Sequence, residues 1–280
     1  MSIAVAAAPR RRNALPGFGP TIGLTVFVVC VLILIPVAGL FVKATDLSVA
    51  QALALLSSPR VLAAFRLSFG LALLAAAVDG IAGLLIAWVL VRYDFPLRRY
   101  FDAIIDLPFA LPTAVAGIAL TALYADNGWF GAPLARLGIN VAFTPLGIFV
   151  ALLFIGLPYA VRTVQPVLAD LERDVEEAAL TLGAHPRQIF SRVIFPQLLP
   201  AILTGIGLAF ARGVGEYGSV IFIAGNMPGI SEILPLLIVI RLQQYDYAGA
   251  ALIAATMLVG SLVILLALNL FAGRWVRRHG

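Results

Sequence analysis

Lysine is nearly absent from this chain, since Lys43 is the only one among 280 residues. The phosphate-binding loop of many nucleotide hydrolases has the pattern G-x-x-x-x-G-K-[ST], and its lysine contacts the phosphates. Lys43 is followed by Ala44 and is not preceded by the required glycines. The chain therefore cannot form that loop, and we expect that it does not hydrolyse ATP itself.

Metal ligands and nucleophile motifs are also scarce. The sequence has one cysteine, Cys30, and two histidines, His185 and His279, whereas zinc sites usually draw several such ligands together. It has no G-x-S-x-G nucleophile elbow. We therefore predict no metal site, no disulfide within the chain and no enzymatic activity.

Charged residues make up 12% of the chain, against about 25% in an average soluble domain. Hydrophobic residues make up 62%, and the mean hydropathy is +1.04. This composition predicts an integral membrane protein. Because backbone polar groups in lipid must be satisfied within the protein, we expect an all-α, polytopic fold.

Six apolar runs approach or exceed the roughly 20 residues that a membrane crossing needs. They are residues 21–42, 66–91, 107–125, 146–164, 198–224 and 247–272. The first run follows Arg10–Arg12, as in a signal peptide, but it is too long for one and lacks a cleavage site. We therefore predict a tail at 1–20, a six-span membrane domain at 21–272 and a second tail at 273–280.

The basic residues favour one orientation in the membrane. If the N-terminus is cytoplasmic, thirteen basic residues fall on the inside and four on the outside, with Arg66 and Arg212 at or within spans. The thirteen are Arg10, Arg11, Arg12, Arg92, Arg98, Arg99, Arg162, Arg173, Arg187, Arg192, Arg274, Arg277 and Arg278; the four are Lys43, Arg60, Arg136 and Arg241. This bias predicts that both termini are cytoplasmic, and it accounts for the net charge of +5 without a nucleic-acid partner.

The longest hydrophilic stretch, residues 169–196, is called the polar insert below. Within it Val175, Ala178, Ala179 and Leu182 form a narrow apolar stripe at helical spacing. The charge bias places the insert in the cytoplasm. Its length and its small apolar side chains indicate that it docks on something outside the membrane.

Local signals divide the polar insert into two helices. Asp174 and Glu177 predict a capping box at the start of the first helix. Gly183 ends that helix, and Pro186 begins a second short helix that we expect to run to Phe195. The prediction is a helix, a glycine turn and a helix, all outside the bilayer.

The polar insert resembles the EAA loop of ABC importer permeases. Glu177, Ala178 and Ala179 are followed after three residues by Gly183, and after nine more by the run from Val193 to Pro196. Where the family has Ile this chain has Val193, and where the family has Leu this chain has Phe195. Both changes keep an apolar side chain. The resemblance implies that Glu177, Ala178, Ala179, Gly183 and Pro196 couple the chain to a cytoplasmic ATPase. The alternative is an ordinary amphipathic loop helix.

Three charged residues, Asp79, Arg212 and Glu216, lie near the middle of predicted spans, and a charge at the bilayer centre costs about 2.5–3.5 kcal/mol. Arg212 and Glu216 are spaced i, i+4 and can pair. They form either an internal ion pair that holds helices together or part of an anion path and its gate. Asp79 is interpreted as a polar packing or capping contact rather than a substrate group, because a carboxylate repels an anion.

Prolines and glycines mark two irregular places in the spans. Pro108 and Pro112 free backbone carbonyls, and these carbonyls with Thr113 line either a cavity or a packing kink. The glycines at 213, 215 and 218 allow close helix approach or local unwinding near a gate.

Further segments resemble the T subunit (CysT-like) of sulfate/thiosulfate importers. They are Asp106–Gly117, Arg162–Leu168, Arg212–Asn226 and Arg241–Ala250, and the resemblance runs from about residue 14 to 275. It implies an ABC type I importer permease fold in the bacterial inner membrane. It also implies a heteromeric transporter with a paralogous W-type permease, two ATPase subunits that bind ATP and magnesium, and a periplasmic sulfate-binding protein.

Other functions stay open at this point. The R-x-x-G-E-[YF]-G element at Arg212 is shared with molybdate permeases, so molybdate or tungstate is an alternative cargo. A secondary anion transporter needs no coupling loop and often has inverted repeats, which this sequence lacks. A structural membrane anchor would not require the charges at Arg212 and Glu216.

Overall fold

The computed structural model describes the backbone of residues 18–279, so most of the predicted tail 1–20, including Arg10–Arg12, lies outside the described residues. All regular elements of this part are helices, which confirms the all-α prediction. In chain order they are α1 (Phe18–Val29, a π-helical turn at Cys30–Leu34, and Ile35–Ala44), α2 (Val49–Leu56), α3 (Pro59–Arg92), α4 (Arg98–Ile105), α5 (Leu107–Ala110), α6 (Thr113–Tyr124), α7 (Gly131–Arg136), α8 (Pro145–Ala169), α9 (Arg173–Thr181), α10 (Pro186–Ile189, a π-helical turn at Phe190–Ile194, and Phe195–Val214), α11 (Val220–Ile223), α12 (Leu234–Gln243) and α13 (Tyr247–His279).

Three long helices, α3, α8 and α10, pack against one another and form the core. Small residues let them approach closely, since Gly83 of α3 and Gly205 of α10 both lie against the backbone of Ala160 in α8. Large side chains such as Phe210 and Ile148 fill the remaining space and are fully buried. Any movement of one core helix therefore has to be accommodated by the other two.

The first helix is peripheral. Helix α1 packs against α13, and none of its residues from Pro20 to Ala44 is buried. Apolar side chains such as Leu24 and Leu32 remain largely exposed along it. Lipid chains are as apolar as leucine, so this surface is compatible with a bilayer rather than with water.

Five helices are long and apolar enough to cross a membrane: Pro20–Ala44, Pro59–Arg92, Pro145–Ala169, Pro186–Val214 and Tyr247–Trp275. Six spans were predicted, and five helices of the described residues meet these criteria, so the predicted number is roughly consistent with the structure. The predicted run at 107–125 is interrupted at Leu111 and Pro112, which separate α5 from α6. Pro112 lacks an N–H and disfavours a helical conformation at Leu111, which explains the break.

The predicted bounds of the fifth span, 198–224, are wrong at both ends. Helix α10 begins at Pro186, so the second helix of the polar insert continues into the span instead of ending at Phe195. The wider π-helical turn at Phe190–Ile194 precedes Pro196 and takes up the proline without a break. At the other end α10 stops at Val214, and residues 215–219 are not helical.

Candidate functional site

The polar insert folds as a helix, a turn and a helix, as predicted. Gly183 has a φ of +78°, which favours glycine. Its N–H donates to the carbonyl of Leu180, and the N–H of Ala184 donates to the carbonyl of Ala179. These two hydrogen bonds form a Schellman motif that satisfies the last carbonyls of α9. The direction in which the chain leaves α9 is thereby fixed by the backbone itself.

The predicted capping box at Asp174 is wrong. The N-cap of α9 is Glu172, and its side chain makes no capping hydrogen bond. Asp174 and Glu176 instead lie in the first turn of the helix, where a negative charge is stabilised by the helix dipole. The start of α9 therefore depends on charge rather than on a reciprocal cap.

The motif residues lie on two sides of α9. Glu177 and Ala178 are exposed, whereas Ala179 is half-buried against the core. Beside them Leu182 is 88% exposed, and Val175 and Leu180 are also exposed. The carbonyl of Pro196, at the far end of the polar insert, accepts a hydrogen bond of 3.3 Å from Nε1 of Trp275. The insert is thus attached on one side and presents apolar side chains on the other.

One ion pair joins α9 to the end of α3. Nη2 of Arg92 donates to Oε1 of Glu176, 84 residues away in sequence. The guanidinium carbon of Arg92 also lies 5.5 Å from the ring centroid of Trp88, a cation–π distance. Sequence reasoning missed this contact, because nothing local pairs residue 92 with residue 176.

A larger charge cluster holds α4 and α5 against α8. Nε and Nη2 of Arg162 donate to the two carboxylate oxygens of Asp106 at 2.8 and 2.6 Å. Nη1 donates to Oδ1 of Asp102 and to Oε1 of Gln165, both at 2.6 Å, and Nη2 also donates to the carbonyl of Asp102 at 2.8 Å. A guanidinium has five N–H donors, and five hydrogen bonds are formed here.

The same cluster shifts the ionisation of Asp102. Partial burial raises the pKa of Asp102, but hydrogen bonds from Arg162 and Gln165 together with the positive charges of Arg162 and Arg98 outweigh burial, so the pKa lies below its ordinary value. The carboxylate form is therefore the one that the cluster stabilises. Sequence analysis placed Arg162 and Asp106 in motif segments without pairing them; the i, i+4 spacing of Asp102 and Asp106 is the signal that could have indicated a shared cation.

The predicted pairing of Arg212 with Glu216 is confirmed. Nη1 of Arg212 lies 2.5 Å from Oε2 of Glu216, whose side chain is 2% exposed. The other carboxylate oxygen of Glu216 accepts hydrogen bonds from the N–H and the hydroxyl of Ser219 at 2.9 and 3.0 Å. Glu216 thus stabilises the non-helical residues 215–219 as well as neutralising Arg212.

Thr113 lies beside this non-helical segment. Its side chain packs directly against Gly218, and Gly117 of the same helix approaches the backbone of Ser219 closely. The structure therefore brings Thr113 and residues 216–219 together, where two interrupted helices meet. The glycine-rich stretch is locally unwound, which was one of the two alternatives that the sequence left open.

Asp79 is buried in the core, with its side chain against Gly156. Its Oδ2 has no hydrogen-bond partner among the described residues. It borders a cavity of about 340 Å³ that is otherwise lined mostly by apolar side chains, including Phe154 and Leu157. Asp79 faces the protein interior, as expected, but its Oδ2 does not form the predicted polar contact among the described residues, and Asp79 does not join the cluster around Glu216.

At the end of α3 opposite Arg92, Arg60 forms the second ion pair between this helix and a distant segment. Its Nε and Nη2 donate to the two oxygens of Glu232 at 2.7 and 2.6 Å. The Glu232 side chain is 2% exposed, while that of Arg60 is 47% exposed. Helix α3 therefore carries an ion pair to another segment near each of its ends.

Comparison with known proteins finds similar proteins over most of the chain. Residues 80–278 match the family described as "Binding-protein-dependent transport system inner membrane component". The chain is 50% identical over 246 residues to a probable sulfate transport system permease protein cysT of Nephroselmis olivacea, covering 88% of this chain and 87% of that one. It is 45% identical over 267 residues to the sulfate transport system permease protein CysT of Escherichia coli (strain K12), covering 95% and 96%.

A solved structure supports the fold. A chain of the bacterial alginate ABC transporter, in complex with an alginate pentasaccharide-bound periplasmic protein, superposes with a TM-score of 0.70. It covers 93% of each chain at 17% sequence identity, so the likeness concerns the fold alone. Together with the five apolar helices, these matches identify a multi-pass inner membrane protein with the ABC importer permease fold. The chain belongs to the binding-protein-dependent transport system inner membrane components and, within them, to the CysT permeases.

Proposed function

We propose that this chain is the T-type permease subunit of an ATP-driven sulfate and thiosulfate importer. The observation that carries the proposal is the 45–50% identity to sulfate transport permeases over most of the chain. In this role the chain passes the anion from a periplasmic binding protein to the cytoplasm. It is a transport subunit and not an enzyme.

The partners follow from the same proposal. A binding-protein-dependent family implies a periplasmic protein that delivers the anion. We assign ATP and magnesium to a pair of ATPase subunits, because this chain lacks a phosphate-binding loop. A paralogous W-type permease completes the transmembrane path, and the chain itself carries no cofactor.

We assign the coupling role to α9 and its turn, with Glu177, Ala178, Ala179, Gly183 and Pro196 as the motif residues. The exposed apolar side chains of Val175, Leu180 and Leu182 support this role, since they offer a surface that can enter a groove. The Schellman turn at Gly183 supports it as well, because it fixes the direction in which the chain leaves α9 towards α10. The ATPase is the proposed occupant of this surface.

We place the anion path, or its gate, beside the non-helical segment 215–219. Thr113 faces this segment, and Arg212 and Glu216 stabilise it from one side. Irregular backbone at membrane depth is tolerated where it is buried or lines a cavity. The resemblance to binding-protein-dependent importers implies that recognition of the anion rests mainly with the binding protein, and the neutralisation of Arg212 by Glu216 is consistent with this role.

Replacing Arg212 with glutamine is expected to reduce transport and membrane accumulation more than the double change Arg212→Gln with Glu216→Gln. The single change leaves the buried Glu216 without its cation, and breaking a buried pair typically costs about 3–5 kcal/mol. The double change removes both charges. Uptake and the amount of protein in the membrane measure the effect, and strictly additive losses would contradict the pairing.

Both termini are assigned to the cytoplasm, which puts Lys43 outside. Lys43 is the only lysine and is half-exposed, so a membrane-impermeant amine reagent is expected to label it on intact spheroplasts. Peptide mass spectrometry separates this label from one on the N-terminal amine. Labelling of Lys43 only after the membrane is opened would place Lys43 in the cytoplasm and show that the proposed orientation is wrong.

Labelled-sulfate uptake tests the proposed function. A sulfate-uptake-deficient bacterium receives this gene together with its neighbouring permease, ATPase and binding-protein genes. We expect ATP-dependent uptake that excess thiosulfate blocks and an equimolar trace of molybdate does not. Accumulation of molybdate without sulfate would leave the permease fold unaffected but would overturn the assignment of sulfate as the transported anion.

A further inference from the structure

Arg92 and Glu176 form the contact from which the inference starts. Arg92 is the last residue of α3, and Glu176 lies in the first turn of α9. Their side chains are 12% and 23% exposed, so the pair is largely shielded from water. Attraction between charges is stronger in such a place than on an open surface. Each charge also sits at the helix end whose dipole favours it.

The last turn of α3 also contacts the other arm of the polar insert. The ring of Trp88 meets Phe190 of α10 edge to face, with the centroids 5.6 Å apart. Phe190 in turn lies 6.0 Å from Phe195. Arg92 therefore contacts the helix before Gly183, while Trp88 contacts the helix after it. One turn of α3 holds both arms of the insert.

The Arg92–Glu176 ion pair links α9 to a distant part of the chain through side chains. Among the described side chains, Glu176 is the only α9 residue with an ion pair or hydrogen bond to another helix. Its remaining attachment to the core is the apolar contact of Ala179, while Val175 and Leu180 point away and are exposed. A force on the exposed face of α9 therefore reaches α3 through Arg92.

We propose that Arg92 and Glu176 are positioning residues that fix the coupling helix α9 to α3, so that movement of α9 drives α3 together with α10. The inference rests on the proposed function and adds a second route to it, since the Gly183 turn alone leads only to α10. Helix α3 is well suited to this role. It runs for 34 residues without an internal proline and packs on both α8 and α10.

Charge reversal tests the pair in the assembled transporter. The variants are Arg92→Glu, Glu176→Arg and both together, and Arg99→Glu is the control. Arg99 is an exposed arginine near the same end of α3. Each complex, with its W-type permease, ATPase and binding protein, is reconstituted in proteoliposomes. The measurements are co-purification of the ATPase, basal ATP hydrolysis, its stimulation by sulfate-loaded binding protein, and uptake of radiolabelled sulfate.

Each single reversal is expected to keep the ATPase bound and its basal activity intact, while stimulation and uptake fall by roughly tenfold. The double reversal is expected to restore both to within about threefold of the wild type, and not fully, because each charge then opposes a helix dipole. Arg92→Lys keeps the charge and is expected to retain most of the stimulation. Arg99→Glu is expected to behave as the wild type.

Some results would overturn the inference. A double variant no better than the singles would do so, as would a single variant with normal stimulation. If the single variants lost ATPase binding and the double variant regained it without regaining stimulation, the pair would be a structural contact only. Failure of the proposed function is distinct, because wild-type complexes would then take up no sulfate at all.

Discussion

Replacing Arg162 with alanine is expected to lower sulfate uptake at least roughly tenfold and to destabilise the protein by on the order of 2–3 kcal/mol. This value lies between those of exposed and fully buried ion pairs, since the Arg162 side chain is 30% exposed. The change leaves Asp102 and Asp106 adjacent without their shared cation. It also releases α4 and α5 from α8, and with them the start of the segment that leads to Thr113.

Thermal unfolding in detergent and uptake in cells measure the two effects separately. Arg162→Lys is the matched control, because lysine keeps the charge but cannot form the two-pronged contact with Asp106. We expect an intermediate loss for this variant. Wild-type stability and uptake for Arg162→Ala would show that the cluster has no part in holding α4 and α5.

Replacing Gly183 with valine is expected to leave the protein inserted in the membrane but uncoupled from the proposed ATPase partner. A Cβ at this position would meet no atom within 4 Å, so the effect does not come from a clash. It comes from the positive φ, which costs a non-glycine residue about 1–2 kcal/mol and a β-branched residue more. The turn then relaxes, and α9 leaves its position relative to α10.

The matched control for Gly183→Val is Gly183→Asn, since asparagine tolerates the left-handed conformation. We expect the asparagine variant to retain most of its uptake, and the valine variant to lose roughly tenfold with its membrane level unchanged. Co-purification of the ATPase and uptake are the measurements. Normal ATPase association and uptake in the valine variant would remove the coupling role from this turn.

Features that depend on neighbours in sequence could be predicted without the structure. Gly183 and Pro186 predicted the turn of the polar insert, because each imposes a backbone conformation locally. Pro108 and Pro112 predicted a kink in the third apolar run, and the helix is broken at this place. Arg212 and Glu216 are four residues apart, a spacing that predicted their pairing, and the pair forms although α10 ends at Val214.

Features that join distant segments could not be predicted. Arg162 lies 56 residues from Asp106, and Arg60 lies 172 residues from Glu232. Each pair is brought together only when the core helices pack, and a single sequence does not show which arginine meets which carboxylate. The end of the fifth span was misplaced for a different, local reason. The segment 215–219 is short and lies between two apolar runs, so one span was predicted across it, but Ser219 hydrogen-bonds to Glu216 and this segment is not helical.

The length of α3 has a thermodynamic consequence. At about 1.5 Å per residue its 34 residues extend about 50 Å, beyond the roughly 30 Å hydrocarbon core, and an ion pair secures it near each end. A stiff element held in this way links two remote binding events through one coupling free energy, and such linkage is reciprocal. In the proposed transporter, nucleotide bound by the ATPase and a carrier protein docked on the other face are therefore expected to change each other's affinity by the same factor.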